Sequence, residues 1–328
     1  MIAYWAVLAA QSIFVSILLS LIAMPPSLTI HPLWQRYRRQ PIRFVLVLLF
    51  LAVLLWAFGW IKALLLTVDV IAILELYERQ GRVGLRHSLV AVGSPGAYFF
   101  AGFLLVLAYN VVIVSVRYPF AYDAVFNAAD RWIFRGGTVS SLSHWALQTF
   151  PLGLFRFLEF IYFGMFWQIG AAIILASLYY GRARGMQFIG TVLLAYYLAL
   201  AGFYLWPSQG PYYLCAAHFS RFPATLQTYS IEKFLISDAQ RLWNHVPIHR
   251  ISTDYFIAFP CMHIAQPLIV LWFLRRWKRM VIVLCAYDVL LTASILLLEF
   301  HYFVDILGGV LVAAIAVFVT ARNDEERR

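Results

Sequence analysis

The sequence predicts an all-α, polytopic integral membrane protein of about eight or nine transmembrane helices. Of the 328 residues, 63% are apolar and only 12% are charged, a balance that gives no water-soluble surface. Apolar runs near the ~20 residues needed to cross ~30 Å of hydrocarbon recur along the chain. The ~10-residue alternation of a membrane barrel is absent.

Residues 3–23 form the first run, with no Lys or Arg before them and Arg36 as the first arginine. A cleaved leader needs a basic start, so this run is expected to be a retained span with an outside N-terminus. The next run, 44–77, is too long for one ordinary span. Read as a tight pair turning near Gly59 and Trp60, it puts every basic cluster on the cytoplasmic side: Arg36/Arg38/Arg39/Arg43, Arg79/Arg82/Arg86, Arg182/Arg184 and Arg275/Arg276/Lys278/Arg279. The other reading is one tilted helix with an interfacial extension, which keeps Lys62 and Asp69 out of a short second span. Runs at 96–116, 155–180, 188–206, 262–274, 281–298 and 302–320 complete the set.

Both counts place the long polar segments 117–154 and 207–260 on the face of the short turn 299–301. That face is extracytoplasmic, or luminal in a eukaryote. The tail 322–328 is a short cytoplasmic end, and no linker or repeat divides the chain.

The net charge of +10 is a topology signal rather than a nucleic-acid footprint, because the cations sit in short clusters between apolar runs. Cys215, Cys261 and Cys285 show no paired spacing, which points to neither a disulfide framework nor a zinc site.

Two clusters carry chemistry. In Phe259-Pro260-Cys261-Met262-His263 a long outer segment becomes a span. Proline suits a first helical position, and the N–H groups of Cys261, Met262 and His263 would then be open donors at the positive end of a helix dipole. That is an anion site with His263 beside it. The second cluster is Glu299-Phe300-His301-Tyr302-Phe303-Val304-Asp305, followed by Gly308-Gly309. His301 and Asp305 are four apart, so a helix puts them on one face, about 6 Å apart along its axis. A carboxylate there fixes the imidazole tautomer and favours its charged form. Gly308 and Gly309 permit close helix packing.

A lone histidine at a helix end is an ordinary interfacial residue, and His301 with Asp305 also fits a hydrogen-bonded pair or two metal ligands. Cys261 could itself be a nucleophile, though an unactivated thiol beside a better placed histidine is the weaker choice. The conjunction of two histidines at one membrane face favours a catalytic site.

Together, FPCMH and HYFVD-x-x-GG resemble the second and third signature motifs of the type-2 phosphatidic acid phosphatase superfamily. They are most similar to its branch containing the fungal inositol phosphorylceramide synthases, where Phe-Pro-Ser-x-His and His-Tyr-x-x-Asp are the usual forms. The resemblance covers 205–311, with a weaker echo from Asp130-Arg131-Trp132 through the 155–180 run. It implies that His301 is the nucleophile, that Asp305 orients it, and that His263 protonates the leaving oxygen. It also implies a six-helix phosphatase-like catalytic core over 96–328, a transmembrane extension over 1–95, and no metal or cofactor.

The departures bear on phosphate binding. The turn Trp206-Pro207-Ser208-Gln209-Gly210-Pro211-Tyr212 falls where the first motif belongs but has no cation, and Ile295 stands where an arginine is usual, six before His301. Cys261 replaces serine, and a thiol is the poorer donor. The expected phosphate-binding set is Cys261, Met262, Gln209 and Gly210, with Arg250 as first candidate cation and Arg131 and Arg221 behind it, since a guanidinium fork can bond two oxygens.

The leading expectation is a metal-independent lipid phosphotransferase. It would move a phosphoryl or phospho-substituted headgroup from a lipid phosphate, diphosphate or phosphodiester to an acceptor alcohol such as a polyol or sugar. The alternative is a phosphatase using water on a lipid or polyprenyl (di)phosphate. A transporter or flippase would use Lys62, Asp69 and Asp288 near the midplane but would show repeats. A partner-binding subunit would use outer aromatics such as Tyr212, Tyr213 and Trp243 and would need neither His301 nor Asp305.

Overall fold

The computed structural model describes residues 93–214, 222–246 and 258–325, and among these residues there is no strand. The 3–23 and 44–77 runs, with Lys62 and Asp69, lie outside the described residues, as do Cys215, Arg221 and Arg250.

Each remaining apolar run lies within a helix or overlaps one almost wholly. These are α1 (Gly93–Val116), α4 (Leu152–Tyr180), α5 (Arg182–Leu205), α8 (Met262–Leu274), α9 (Lys278–Leu297) and α10 (Phe303–Glu325). Four of them, α1, α5, α9 and α10, are long and apolar enough to cross a membrane. α4 bends by 41° between Leu152–Met165 and Gln168–Leu178 and counts as a fifth span if taken whole. α8 is a shorter apolar helix of 13 residues. The outward faces are those of a lipid-embedded bundle: Ile282, Val289 and Phe318 are 70%, 69% and 63% exposed, which water would penalise and hydrocarbon does not.

Between the spans lie α2 (Asp123–Ile133), α3 (Val139–Thr149), the single turn α6 (Pro211–Leu214) and α7 (Gln227–Trp243). Thr138 starts α3 with a capping box: its hydroxyl accepts from Ser141 N at 3.0 Å, and Ser141 Oγ accepts from Thr138 N at 2.8 Å. Glu159 of α4 accepts from the backbone N and the hydroxyl of Thr228, both at 2.7 Å, which ties the first turn of α7 to the bundle.

The fold positions the site through α8, which packs against α4, α5, α9 and α10. Its neighbours approach closely because glycine faces them. A Cβ on Gly309 would collide with the Cys261 carbonyl oxygen, and one on Gly308 would stand 2.6 Å from the Phe259 ring. Cross-helix hydrogen bonds add polar ties: Gln266 donates to Met165 O (3.1 Å), Tyr196 to Gln266 Oε1 (3.0 Å), Tyr287 to Ile161 O (2.7 Å) and Ser294 to Leu158 O (3.1 Å).

Helix direction sorts the turns. The α4–α5 turn at Gly181 (φ +85°) and the α8–α9 turn carry Arg182, Arg184, Arg275, Arg276, Lys278 and Arg279. At that end Thr191 of α5 donates to Thr320 Oγ1 of α10 at 2.8 Å. The start of α8, the start of α10 and the end of α5 meet at the opposite end. There Ala258 N donates to Ser208 O (3.1 Å) and Tyr212 N to Glu299 O (3.4 Å).

Candidate active site

α8 begins at Met262 with Cys261 as its N-cap, so Pro260 lies one residue outside the helix rather than in its first turn. The Cys261 N–H is not open: it donates to the Asp305 carbonyl at 3.1 Å and staples the start of α8 to α10. His263 follows in the first turn. Four residues on, Pro267 removes the N–H that would have bonded the His263 carbonyl.

His301 comes from the α9–α10 turn. Its N–H and that of Phe300 both donate to the Ile295 carbonyl, at 3.2 and 3.1 Å, and Glu299 takes a left-handed conformation (φ +59°) to make the reversal. Ile295, where a cation was missed, is fully buried and anchors the histidine through its backbone. α10 then starts at Phe303, whose N–H donates to both oxygens of Asp130 at 3.1 and 3.2 Å, so an acid of α2 caps the last helix.

These starts bring the predicted residues together. His301 Nδ1 lies 3.3 Å from Asp305 Oδ2, and Tyr302 N donates to the same oxygen at 2.8 Å. His263 Nδ1 lies 3.1 Å from His301 Nε2. One assignment satisfies both contacts: His301 keeps its proton on Nδ1, toward the carboxylate, and its Nε2 accepts from His263 Nδ1–H. The buried His301 ring is thus held by a carboxylate on one edge and a histidine on the other. Burial opposes its charge, but the Cys261 sulfur and the Asp305 carboxylate outweigh that and raise its pKa above the ordinary imidazole value.

Tyr162 of α4 forms the wall. It stacks on His263 at 4.5 Å and on Phe300 at 4.3 Å between centroids. Nothing in the sequence distinguished it from the other aromatics of its span.

The expected phosphate loop is placed beside the site but is occupied from within. Gly210 N donates to Asp123 Oδ1 at 2.9 Å, and Gln209 N donates to both Asp123 oxygens at 3.2 Å. Tyr302 OH donates to Asp123 Oδ1 at 3.0 Å. The anion meeting these donors is a carboxylate 86 residues away in sequence. Burial raises Asp123 from 3.8 to about 7, against the lowering pull of the Gly210 and Gln209 amides and the Tyr302 hydroxyl. Asp130 rises to about 6, again mainly through burial. Asp123 escaped the sequence reading because an acid opening an amphipathic outer helix looks like a solvated residue.

Met262 is buried, and Arg131 is exposed on α2. Among the described residues no lysine or arginine contributes to the electrostatics of His263, His301 or Asp305. Arg221 and Arg250 fall outside the described residues. Asp288, the midplane acid of the transporter reading, accepts from Gln168 Nε2 at 2.9 Å.

A histidine pair with a carboxylate behind it thus stands at one end of an apolar helical bundle, in a chain whose helices are those of a membrane protein. The family model of the PAP2 superfamily matches residues 125–319, and the chain belongs to that superfamily. Its members are phosphatases or phosphotransferases acting on lipid phosphates. Comparisons with curated proteins and with solved structures each gave no match.

Proposed function

We propose that the protein is a membrane lipid phosphotransferase that works through a phosphohistidine on His301. The observation that carries this reading is the convergence of His263 Nδ1 and His301 Nε2 at 3.1 Å, with Asp305 behind His301. His301 Nε2 attacks phosphorus, and the bond from phosphorus to the leaving oxygen breaks. His263, charged on both ring nitrogens once the anionic phosphate is bound, hands its Nδ1 proton to that oxygen and is left neutral. In the second half His263 takes the proton of the acceptor hydroxyl, whose oxygen displaces Nε2 and frees the enzyme. Asp305 holds the tautomer that exposes Nε2 and stabilises the charge that the ring acquires. Phosphorus enters between the two nitrogens, so the rings part on substrate binding.

The six apolar helices α1, α4, α5, α8, α9 and α10 are read as the catalytic core, with residues 1–95 as an extension that brings the total to nine spans. The basic turns at Gly181 and at 275–279 support a cytoplasmic reading of that end, and with it an extracytoplasmic reading of the end that carries the histidines. Arg250 is the first choice for the phosphate-binding cation, with Arg131 and Arg221 behind it. Cys261 and Met262 are read as bordering the phosphate, and Gln209 and Gly210 as flanking it with their amides engaged by Asp123. A cleft of about 490 Å³ between α1 and α5, lined by Tyr109, Ile113, Tyr197, Leu200 and Leu205, is apolar and suits an acyl or prenyl chain.

Transfer to an alcohol is preferred over hydrolysis because the two long outer segments, 117–154 and 207–260, favour a covered site, and a transferase has to exclude water. The resemblance of FPCMH and HYFVD to the inositol phosphorylceramide synthase branch supports the same choice. Incubating the purified protein with labelled lipid phosphates, with and without polyol or sugar acceptors, tests it. A phosphorylated acceptor is expected, and free phosphate as the sole product in every mixture overturns the transferase reading in favour of the phosphatase.

A further inference from the structure

We propose that Cys261, His263 and His301 form a binding site for a thiophilic divalent ion of the Zn²⁺ type, and that its occupancy switches the phosphoryl-transfer centre off. The Cys261 sulfur and one nitrogen from each histidine all lie within 4.8 Å of one another. The 3.1 Å between His263 Nδ1 and His301 Nε2 is close to the ~3.3 Å edge of a tetrahedron with metal–nitrogen bonds of about 2.0–2.1 Å. The sulfur, needing a bond of about 2.3 Å, completes a Cys-His-His face through small side-chain rotations. Cys261 and His301 are buried while His263 is partly exposed, so the fourth position faces the His263 side and is left for water or a phosphate oxygen.

Asp305 is the independent support. Metal-binding histidines characteristically give their other ring N–H to a carboxylate, and His301 Nδ1 has that partner at 3.3 Å, itself fixed by the Tyr302 amide. Serine, the usual residue in the resembled motif, is a hard, neutral oxygen ligand; the thiol makes this chain's site selective for soft and borderline metals. No zinc spacing was visible in the sequence because the ligands are one cysteine and two histidines, 38 residues apart between the histidines.

The proton balance is simple. Cys261 gives its thiol proton to solvent, His301 keeps Nδ1–H on Asp305 and lends Nε2, and His263 moves its proton from Nδ1 to Nε2 and lends Nδ1. No oxidation state changes. The ion takes the Nε2 lone pair that attacks phosphorus, so metal and phosphoryl group exclude each other. The switching half of the inference rests on the proposed role of His301; the binding half does not.

Cobalt(II) is the probe for binding to the full-length protein in detergent. The expected result is one equivalent of Co²⁺ with a thiolate-to-metal charge-transfer band, displaced by Zn²⁺ and retained in Cys285→Ser and Cys215→Ser. Cys261→Ser should lose that band, and Asp305→Asn should weaken Co²⁺ binding ~10–100-fold. Turnover of a lipid phosphate is then followed against Zn²⁺, each variant relative to its own metal-free rate and checked for unchanged helicity. Half-inhibition is expected to need at least ~10-fold more Zn²⁺ in Cys261→Ser, whose site keeps only two of its three protein ligands. No charge-transfer band in the wild type, or equal Zn²⁺ sensitivity in wild type and Cys261→Ser, overturns the inference. A band without any phosphoryl turnover instead refutes the proposed function and leaves the metal site standing.

Discussion

His263 Nδ1 and His301 Nε2 approach to 3.1 Å although one begins α8 and the other precedes α10. Gly309 makes this possible: without a side chain there, α10 reaches the Cys261 backbone, and the Cys261 N–H closes the contact on the Asp305 carbonyl. In the proposed mechanism the two rings serve one phosphoryl-transfer step, His301 at phosphorus and His263 at the leaving oxygen, so their losses should not add. His263→Ala and His301→Ala are each expected to lower kcat on the order of 10³-fold or more, and the double variant to be little worse than the poorer single. Single-turnover rates on the folded variants check this.

Asp305→Asn keeps a side chain of the same shape but removes the charge that supports His301. A fall in kcat on the order of 10²–10⁴-fold is expected, with little change in KM. As the proposed nucleophile, His301 would attack only when Nε2 is free of its proton, and its pKa is held up in the intact site. Removing the carboxylate lowers that pKa, so the acid limb of the kcat/KM profile should move to lower pH in the variant. A profile of unchanged shape would assign that limb to another group.

The carboxyl of Asp123 rises from 3.8 to about 7 because it is buried. For an acid whose folded pKa is raised, the native state holds the proton more tightly than the unfolded chain. Stability is therefore greatest below about 3.8 and is lost as pH rises to about 7, by a few kcal/mol at most. Asp123→Asn removes this titration. The difference in melting temperature between wild type and variant should slope across pH 4–7 and flatten above it, with the variant gaining relative stability as pH rises. Thermal melts across that range read the slope directly.

Packing at the α8–α10 crossing gives a paired test. Gly309→Ala drives a methyl into the Cys261 carbonyl and to 3.0 Å from Ile264 Cβ, and both residues are buried. A loss of about 1–3 kcal/mol is expected, along with a drop in rate of ~10-fold or more as α8 shifts His263. Gly190→Ala, on α5 with nothing within 4 Å of the new Cβ, should be neutral or stabilising by up to ~1 kcal/mol.

The helices from 93 onward were legible because hydrocarbon permits only one backbone solution, so each apolar run became or overlapped a helix with shifts of at most about two turns. His263, His301 and Asp305 were legible for a related reason: ionisable residues at span ends are rare enough to stand out. What the sequence hid was long-range. The amides of Gln209 and Gly210 looked like open donors, but an acid from α2 fills them. Tyr162 was one aromatic among many until the fold laid it on His263. Pro260 looked like a first helical residue, yet the chain turns there and the helix waits for Met262.

The most direct test is to trap the covalent intermediate: rapid alkaline quench of the enzyme with a labelled lipid phosphate, followed by mapping of the labelled peptide. An alkali-stable, acid-labile phosphoryl group is expected on His301 and absent in His301→Ala, which should also lack turnover. Label on any other residue, or full turnover in His301→Ala, would contradict it.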